Sequence, residues 1–175
     1  VFQRQDGVVE RFFAQSGAAA YERIGRLFNP ALLAAVAALT ALASIATLGG
    51  ALIRSRRDTR QTTSQARASL LQSIQAVLWL AAMACTAVFA AGSGDVAAVV
   101  FGWPSGWLLT ASACAFVASL LNLGAVPMVP LVWRGGRRVD SWGELRKLAF
   151  TITVLIFVAF AALLVLWNFV MFWDT

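Results

Sequence analysis

The chain opens on two short runs of strand-forming residues, Val1–Gln5 and Val8–Phe13, on either side of Asp6-Gly7. An Asp-Gly pair between such runs is a hairpin signal. The pattern predicts a β-hairpin over residues 1–16, marginal in water unless it packs against something larger. Over 17–29 the period changes. Tyr21, Ile24, Leu27 and Phe28 share one helical face, and Glu22, Arg23 and Arg26 share another. That predicts either a short amphipathic helix lying in a membrane interface or a polar lead-in to the next segment.

The next segment is apolar and long. Asn29-Pro30 is a good helix start, a capping residue followed by proline in the first turn. No charge falls between Pro30 and Ile53. At 1.5 Å per residue this run is ~36 Å long, enough to cross a ~30 Å hydrocarbon core with some tilt. Uncharged runs at least as long follow at 68–91, 107–132 and 148–173. Pro127 and Pro130 should kink or fray the third near its end. The stretch Val96–Phe101 is too short to span and is expected to be a dipping loop or short surface helix. The predicted fold is therefore an all-α integral membrane protein, a four-helix transmembrane bundle over 30–175 preceded by a hairpin and an interfacial helix.

Charge fixes the expected orientation. Arg54–Arg67 holds five arginines and one aspartate, and Arg134–Lys147 holds four arginines, one lysine, one aspartate and one glutamate. The loop between the second and third runs carries only Asp95, and the tail only Asp174. Arg4, Arg11, Arg23 and Arg26 stand at the N-terminal end beside Asp6, Glu10 and Glu22. The positive-inside rule puts the two basic loops in the cytoplasm and both termini outside. Trp103, Trp107, Trp167 and Trp173 then lie near the outer face and Trp133 and Trp142 near the inner one, as an aromatic belt, with Trp79 alone in mid-helix.

Composition agrees. The 175 residues are 60% hydrophobic and 13% charged, against about half and about a quarter in a soluble domain. That excludes an ordinary cytosolic enzyme and a disordered chain. The net charge of +6 is topological, since the basic residues cluster between apolar runs. Nucleic-acid binding would need interleaved aromatics or a known module, and neither is present.

Chemistry is sparse. There is no histidine, and Cys85 and Cys114 lie in apolar runs with no C-x-x-C partner, so they read as buried thiols and no metal or cofactor is expected. No nucleophile stands beside a base, and neither Ser-x-x-Lys nor G-x-S-x-G occurs. No ionisable residue falls inside the four runs, which counts against a proton relay or ion-coupled transport. Polar uncharged residues form stripes: Thr40, Ser44 and Thr47; Gln72, Gln75 and Trp79; Ser112, Ser119 and Asn122. They predict hydrogen bonds between helices or, alternatively, a binding cavity. The spacings Ala34/Ala38 and Ala46/Gly50 predict close helix packing. Arg54, Arg56, Arg57, Arg134, Arg137 and Arg138 are candidate contacts for anionic lipid head groups, or simply topology determinants.

The order of these features resembles the C-terminal region of bacterial serine hydrolases of the β-lactamase/penicillin-binding-protein superfamily that carry a membrane tail. Phe2–Gly7 (FQRQDG) is similar to their short β segment, Tyr21–Phe28 to their surface helix, and Pro30–Arg57 to their first span with its basic stop. Trp142–Leu148 (WGELRKL) and Trp167-Asn168-Phe169 are similar to their closing W-x-x-[RK] and W-N-[LF] patterns. The family's catalytic Ser-x-x-Lys, Tyr-x-Asn and Lys/His-x-Gly have no match here. The resemblance implies that they lie upstream of Val1 and that this chain is the C-terminal piece of something longer. The opening VFQRQDGVVERFF has neither the n-region nor the h-region of a signal peptide. The expected role is a membrane anchor in a bacterial cytoplasmic membrane. Its partners would be the lipid bilayer and an upstream catalytic domain of the same polypeptide. The alternative is a free-standing small four-helix membrane protein, a transporter or channel, or a sensory or assembly module.

Overall fold

The structure is a computed structural model that describes residues 2–5, 8–13, 20–22, 26–55, 61–94, 103, 105–134 and 141–169. The chain divides into two compact units, Val1–Ala34 and Ala35–Thr175.

In the first unit, β1 (Phe2–Gln5), β2 (Val8–Phe13) and β3 (Ala20–Glu22) form an antiparallel sheet in the order β1-β2-β3. Gln5 pairs with Val8, and the register shifts between Gln3 and Arg4. Asp6-Gly7 lies outside the described residues. Among the described residues, the helix expected over 17–29 is not seen. Its described part is β3 and a single 3-10 turn, Arg26–Phe28. The register explains the change. Phe2 stands opposite Phe12, and Phe12 opposite Tyr21, so three aromatic positions line up across the sheet. Arg11 stands opposite Glu22. An isolated helix of that length is marginal in water, and the backbone pairing of β2 with β3 takes its place.

Four helices make the rest: α1 (Pro30–Ser55), α2 (Thr63–Gly92), α3 (Gly106–Arg134) and α4 (Glu144–Leu166). All four are long and apolar enough to cross a membrane. Asn29 caps α1 by accepting a hydrogen bond from the Ala31 amide at 2.9 Å. α2 begins earlier than the uncharged run, because Thr62 and Gln65 form a capping box. α3 runs unbroken through Pro127 and Pro130 to Arg134, contrary to the expected fraying. Both prolines are exposed, away from the neighbouring helices, and spanning helices tolerate proline. α4 stops at Leu166 rather than continuing to Trp173. Asn168 adopts φ 53°, and the Asn168 and Phe169 amides donate back to the Val165 and Leu164 carbonyls. This is a Schellman stop with asparagine in the left-handed position.

Among the described residues of the helical unit, many large apolar side chains face outward, and the interior holds amides beside alanines and aromatic residues. Leu42, Leu52, Leu70, Leu123, Leu145 and Leu155 are exposed, while Gln65, Gln72, Gln75, Asn122, Thr40, Ser44 and Ser112 are buried. A water-soluble fold does the reverse. The chain is a multi-pass membrane protein by this pattern, with the lipid bilayer as its surroundings. α2 and α3 pack along a seam of small residues, Ala68, Ala76 and Ala82 with Ala111, Ala115, Ala118 and Ala125. The approach is close enough that a Cβ on Gly124 would stand 3.2 Å from Leu71 Cδ1. α4 supplies the bulk, with Phe150, Val154, Phe157 and Phe160 turned inward. α1 is the least buried helix. Ala34, Ala38 and Ala46 are exposed, so the small-residue spacings of α1 do not form the close seam. Its fully buried side chains are Thr40 and Ser44.

The seam makes a direct prediction. Ala118→Leu should lower stability by ~1–3 kcal/mol, as overpacking does. Ala38→Leu should stay within about 0.5 kcal/mol, as exposed changes do. Unfolding of the purified protein in mixed micelles measures both, and equal effects would refute the assignment of the seam to α2 and α3.

Candidate functional site

Three α2 positions at helical spacing, Gln65, Gln72 and Gln75, place carboxamides on the buried face. Each reaches another helix. The Gln75 amide donates to the Ala118 carbonyl at 3.2 Å and to Asn122 Oδ1 at 2.9 Å. Asn122 Nδ2 in turn donates to the Phe157 carbonyl at 3.4 Å. Gln72 Nε2 reaches the Phe150 carbonyl at 3.5 Å. The pairing shows that α2 and α3 run antiparallel, and α3 and α4 likewise. Above Gln75, Trp79 is fully buried against Phe160 and Phe157, with ring centroids 4.9 and 6.3 Å away.

Gln65 is the hub of the spine. Its Nε2 donates to Ser141 Oγ at 3.0 Å and to the Val132 carbonyl at 3.4 Å. Its Oε1 accepts from the Trp142 amide at 3.1 Å and from the Thr62 amide at 3.3 Å. One side chain thereby joins the start of α2, the end of α3 and the approach to α4. Beside it, the Arg146 guanidinium lies 3.9 Å over the Trp142 ring. Trp142 Nε1 and the Arg146 guanidinium both donate to Gln61 Oε1 at 3.3 Å. Lys147, one residue on, is buried.

The polar stripes therefore resolve as interhelical hydrogen bonds for Gln72, Gln75 and Asn122. Ser112 Oγ donates to the Phe169 carbonyl at 3.0 Å, tying the residues after α4 to α3. Thr40, Thr47 and Ser119 instead donate to the carbonyls one turn back in their own helices. Three buried polar atoms make no hydrogen bond among the described residues: Ser44 Oγ, Gln75 Oε1 and Trp79 Nε1. Chemically, amides hold and orient but do not carry protons. Among the described residues no cluster of His, Cys, Asp and Glu could hold a metal, and Cys85 and Cys114 are free thiols.

Of the arginines expected at lipid head groups, Arg134 ends α3 and is exposed, where a cation also complements the helix dipole. Arg54 lies in the last turn of α1. Arg56, Arg57, Arg137 and Arg138 fall outside the described residues, as does Val96–Phe101. Sequence reasoning missed Gln65, Trp142, Arg146 and Lys147. The signal for Gln65 was present in Thr62-Thr63-Ser64-Gln65, the capping-box spacing. No known protein family, curated protein or solved structure matches this chain.

If Gln65 is the hub, Gln65→Leu should destabilise by about 2–4 kcal/mol, since it leaves several buried groups unpaired. Gln72→Leu, which removes one long bond, should cost about 0.5–1 kcal/mol. The same unfolding titration separates them, and a ranking with Gln72 the larger would refute the hub.

Proposed function

We propose that the chain is a membrane-anchoring domain that carries an extracytoplasmic domain and catalyses nothing itself. The observation that carries this reading is the pairing of two unlike parts. Strands of four, six and three residues are short, and such a sheet needs an apolar face packed against something else to be stable; we read them as part of a larger folded body. Directly after them in sequence comes a four-span unit whose interior amides are spent on holding helices together. Four spans give insertion that is effectively irreversible, and tethering raises the effective concentration of an attached domain at the membrane surface.

The positive-inside rule supports an extracytoplasmic N-terminus, with the basic segments Arg54–Arg67 and Arg134–Lys147 in the cytoplasm. The attached domain is of the serine-hydrolase class that the sequence resembles, in a bacterial cytoplasmic membrane. What supports that class is the order of elements: β segment, Pro-led span with a basic stop, further spans, and a closing W-N-F.

Reporter fusions test the placement. An enzyme active only outside the cytoplasm should be active when fused before Val1 or after Thr175, and silent when inserted at Asp58 or Arg138. The 175 residues in vesicles should not turn over nitrocefin or a simple ester. A silent N-terminal fusion, or turnover by the chain alone, would overturn the reading.

A further inference from the structure

Three polar atoms inside the helical unit are buried without a hydrogen-bond partner: Ser44 Oγ, Gln75 Oε1 and Trp79 Nε1. Their residues are each 0% exposed. Together they present a hydroxyl, an acceptor and a donor. We propose that one structural water molecule is bound here, accepting from Trp79 Nε1, donating to Gln75 Oε1 and hydrogen-bonded to Ser44 Oγ. It ties α1, the least buried helix, to the amide spine of α2.

The Gln75 amide cannot be reversed to satisfy its oxygen. Its Nε2 faces two acceptors, the Ala118 carbonyl at 3.2 Å and Asn122 Oδ1 at 2.9 Å. Asn122 is fixed in turn, because its Nδ2 donates to the Phe157 carbonyl at 3.4 Å. Turning Gln75 over would set oxygen against oxygen, so Oε1 is left as the open acceptor. Trp79 stands four residues on, one turn along the same buried face of α2. Its indole nitrogen can only donate. Its ring is packed against Phe160 and Phe157, with centroids 4.9 and 6.3 Å away, which keeps it from swinging to Gln75. A fixed donor and a fixed acceptor one turn apart are what a bridging water joins. Ser44 comes to the same depth from α1. Thr47 borders one cleft with Ser69 and Gln72, and α1 and α2, joined by a short segment, run antiparallel. Three residues back from Thr47 is Ser44, and three residues on from Gln72 is Gln75. Both steps move ~4.5 Å the same way along the bundle. The chemistry selects water over other occupants. One amide oxygen and one hydroxyl are too few for a bound calcium or magnesium ion, which takes about six oxygens. No charged residue lies in Pro30–Ile53 or Ala68–Ala91 to hold an anion. Water supplies a donor and an acceptor at once, and about three hydrogen bonds is its usual number inside a protein. The proposal concerns the interior of the bundle and does not depend on what the bundle anchors.

Water-selective NMR of the full chain in detergent micelles, isotope-labelled at the tryptophan indoles, tests it. The Trp79 indole signal is identified by its loss in Trp79→Phe. The expected result is a direct Overhauser cross-peak between that indole proton and water, with the sign of a bound molecule. Ser44→Ala removes one partner and leaves the space, so the cross-peak should persist. Ser44→Leu fills the space and should abolish it while the other indole signals keep their positions. If leucine unfolds the chain, Ser44→Val, which fills less, carries the same expectation. No cross-peak in the unaltered protein would overturn the proposal, as would a cross-peak that survives the filling variant. Loss of the cross-peak in Ser44→Ala would overturn it too, since it would mark magnetisation relayed through the serine hydroxyl instead of a water.

Discussion

A polar group inside a bilayer finds a partner within the protein or goes without one at a cost, because the hydrocarbon core offers none. The whole helical unit follows from how Gln65, Gln72, Gln75 and Asn122 meet that constraint. Three amides on one face of α2 cannot be turned to lipid without losing their hydrogen bonds. They are turned instead to α3 and α4, where they reach Asn122 and the carbonyls of Ala118, Val132 and Phe150. Each such bond is worth only about 0.6–2 kcal/mol in a membrane. Their number and their direction matter more than their individual strength. They fix register along the helices, which lipid-facing leucines cannot do.

Short side chains reach across only if the helices are close. The alanine seam between α2 and α3 provides that closeness, and the polar bonds and the seam are therefore one device. Asn122 sits between Ala118 and Ala125 on the same face, so its amide can accept from Gln75 while donating to Phe157 of α4. α4 then fills the remaining volume with phenylalanines, and Trp79 is enclosed against two of them. α1 lacks both the amides and the seam. It turns hydroxyls inward, and Thr40 and Thr47 bond back to their own helix. Its small share of buried residues is the result.

Hydropathy shows four spans because each is a long run without charge, and the polar stripes are visible because glutamine and asparagine stand out against leucine and alanine. Helix ends are less legible from the same criterion. An uncharged run is not a helix: Arg67 lies inside α2 and Glu144, Arg146 and Lys147 lie inside α4, and a long basic side chain at a span's end, such as that of the exposed Arg67, can still reach water. At the other end of α4 the chain stays apolar past Leu166, and a single asparagine in the left-handed conformation stops the helix. The pair Trp167-Asn168 could have been read that way, since asparagine is second to glycine in this role. Ala34/Ala38 misleads because small-residue spacing marks where a helix could pack and does not say whether a partner comes there. Tyr21 and Glu22 fit a helical pattern as well as a strand, and it is the backbone pairing with Phe12 and Arg11, distant in sequence, that places them in β3.

The spine is neutral from end to end, and charge enters only at its margin. An amide does not titrate, so the bonds that join α2 to α3 and α4 hold at any pH and carry no gating charge across a membrane potential. An interior built to move protons or ions would place carboxylates or lysines where Gln75 and Asn122 stand. Here Arg146 and Lys147 come one after the other in the first turn of α4. At that level the guanidinium stacks on Trp142 and shares Gln61 with it, beside the Gln65 hub. Amides give the buried part its fixed geometry, and the two cations stand at the start of α4.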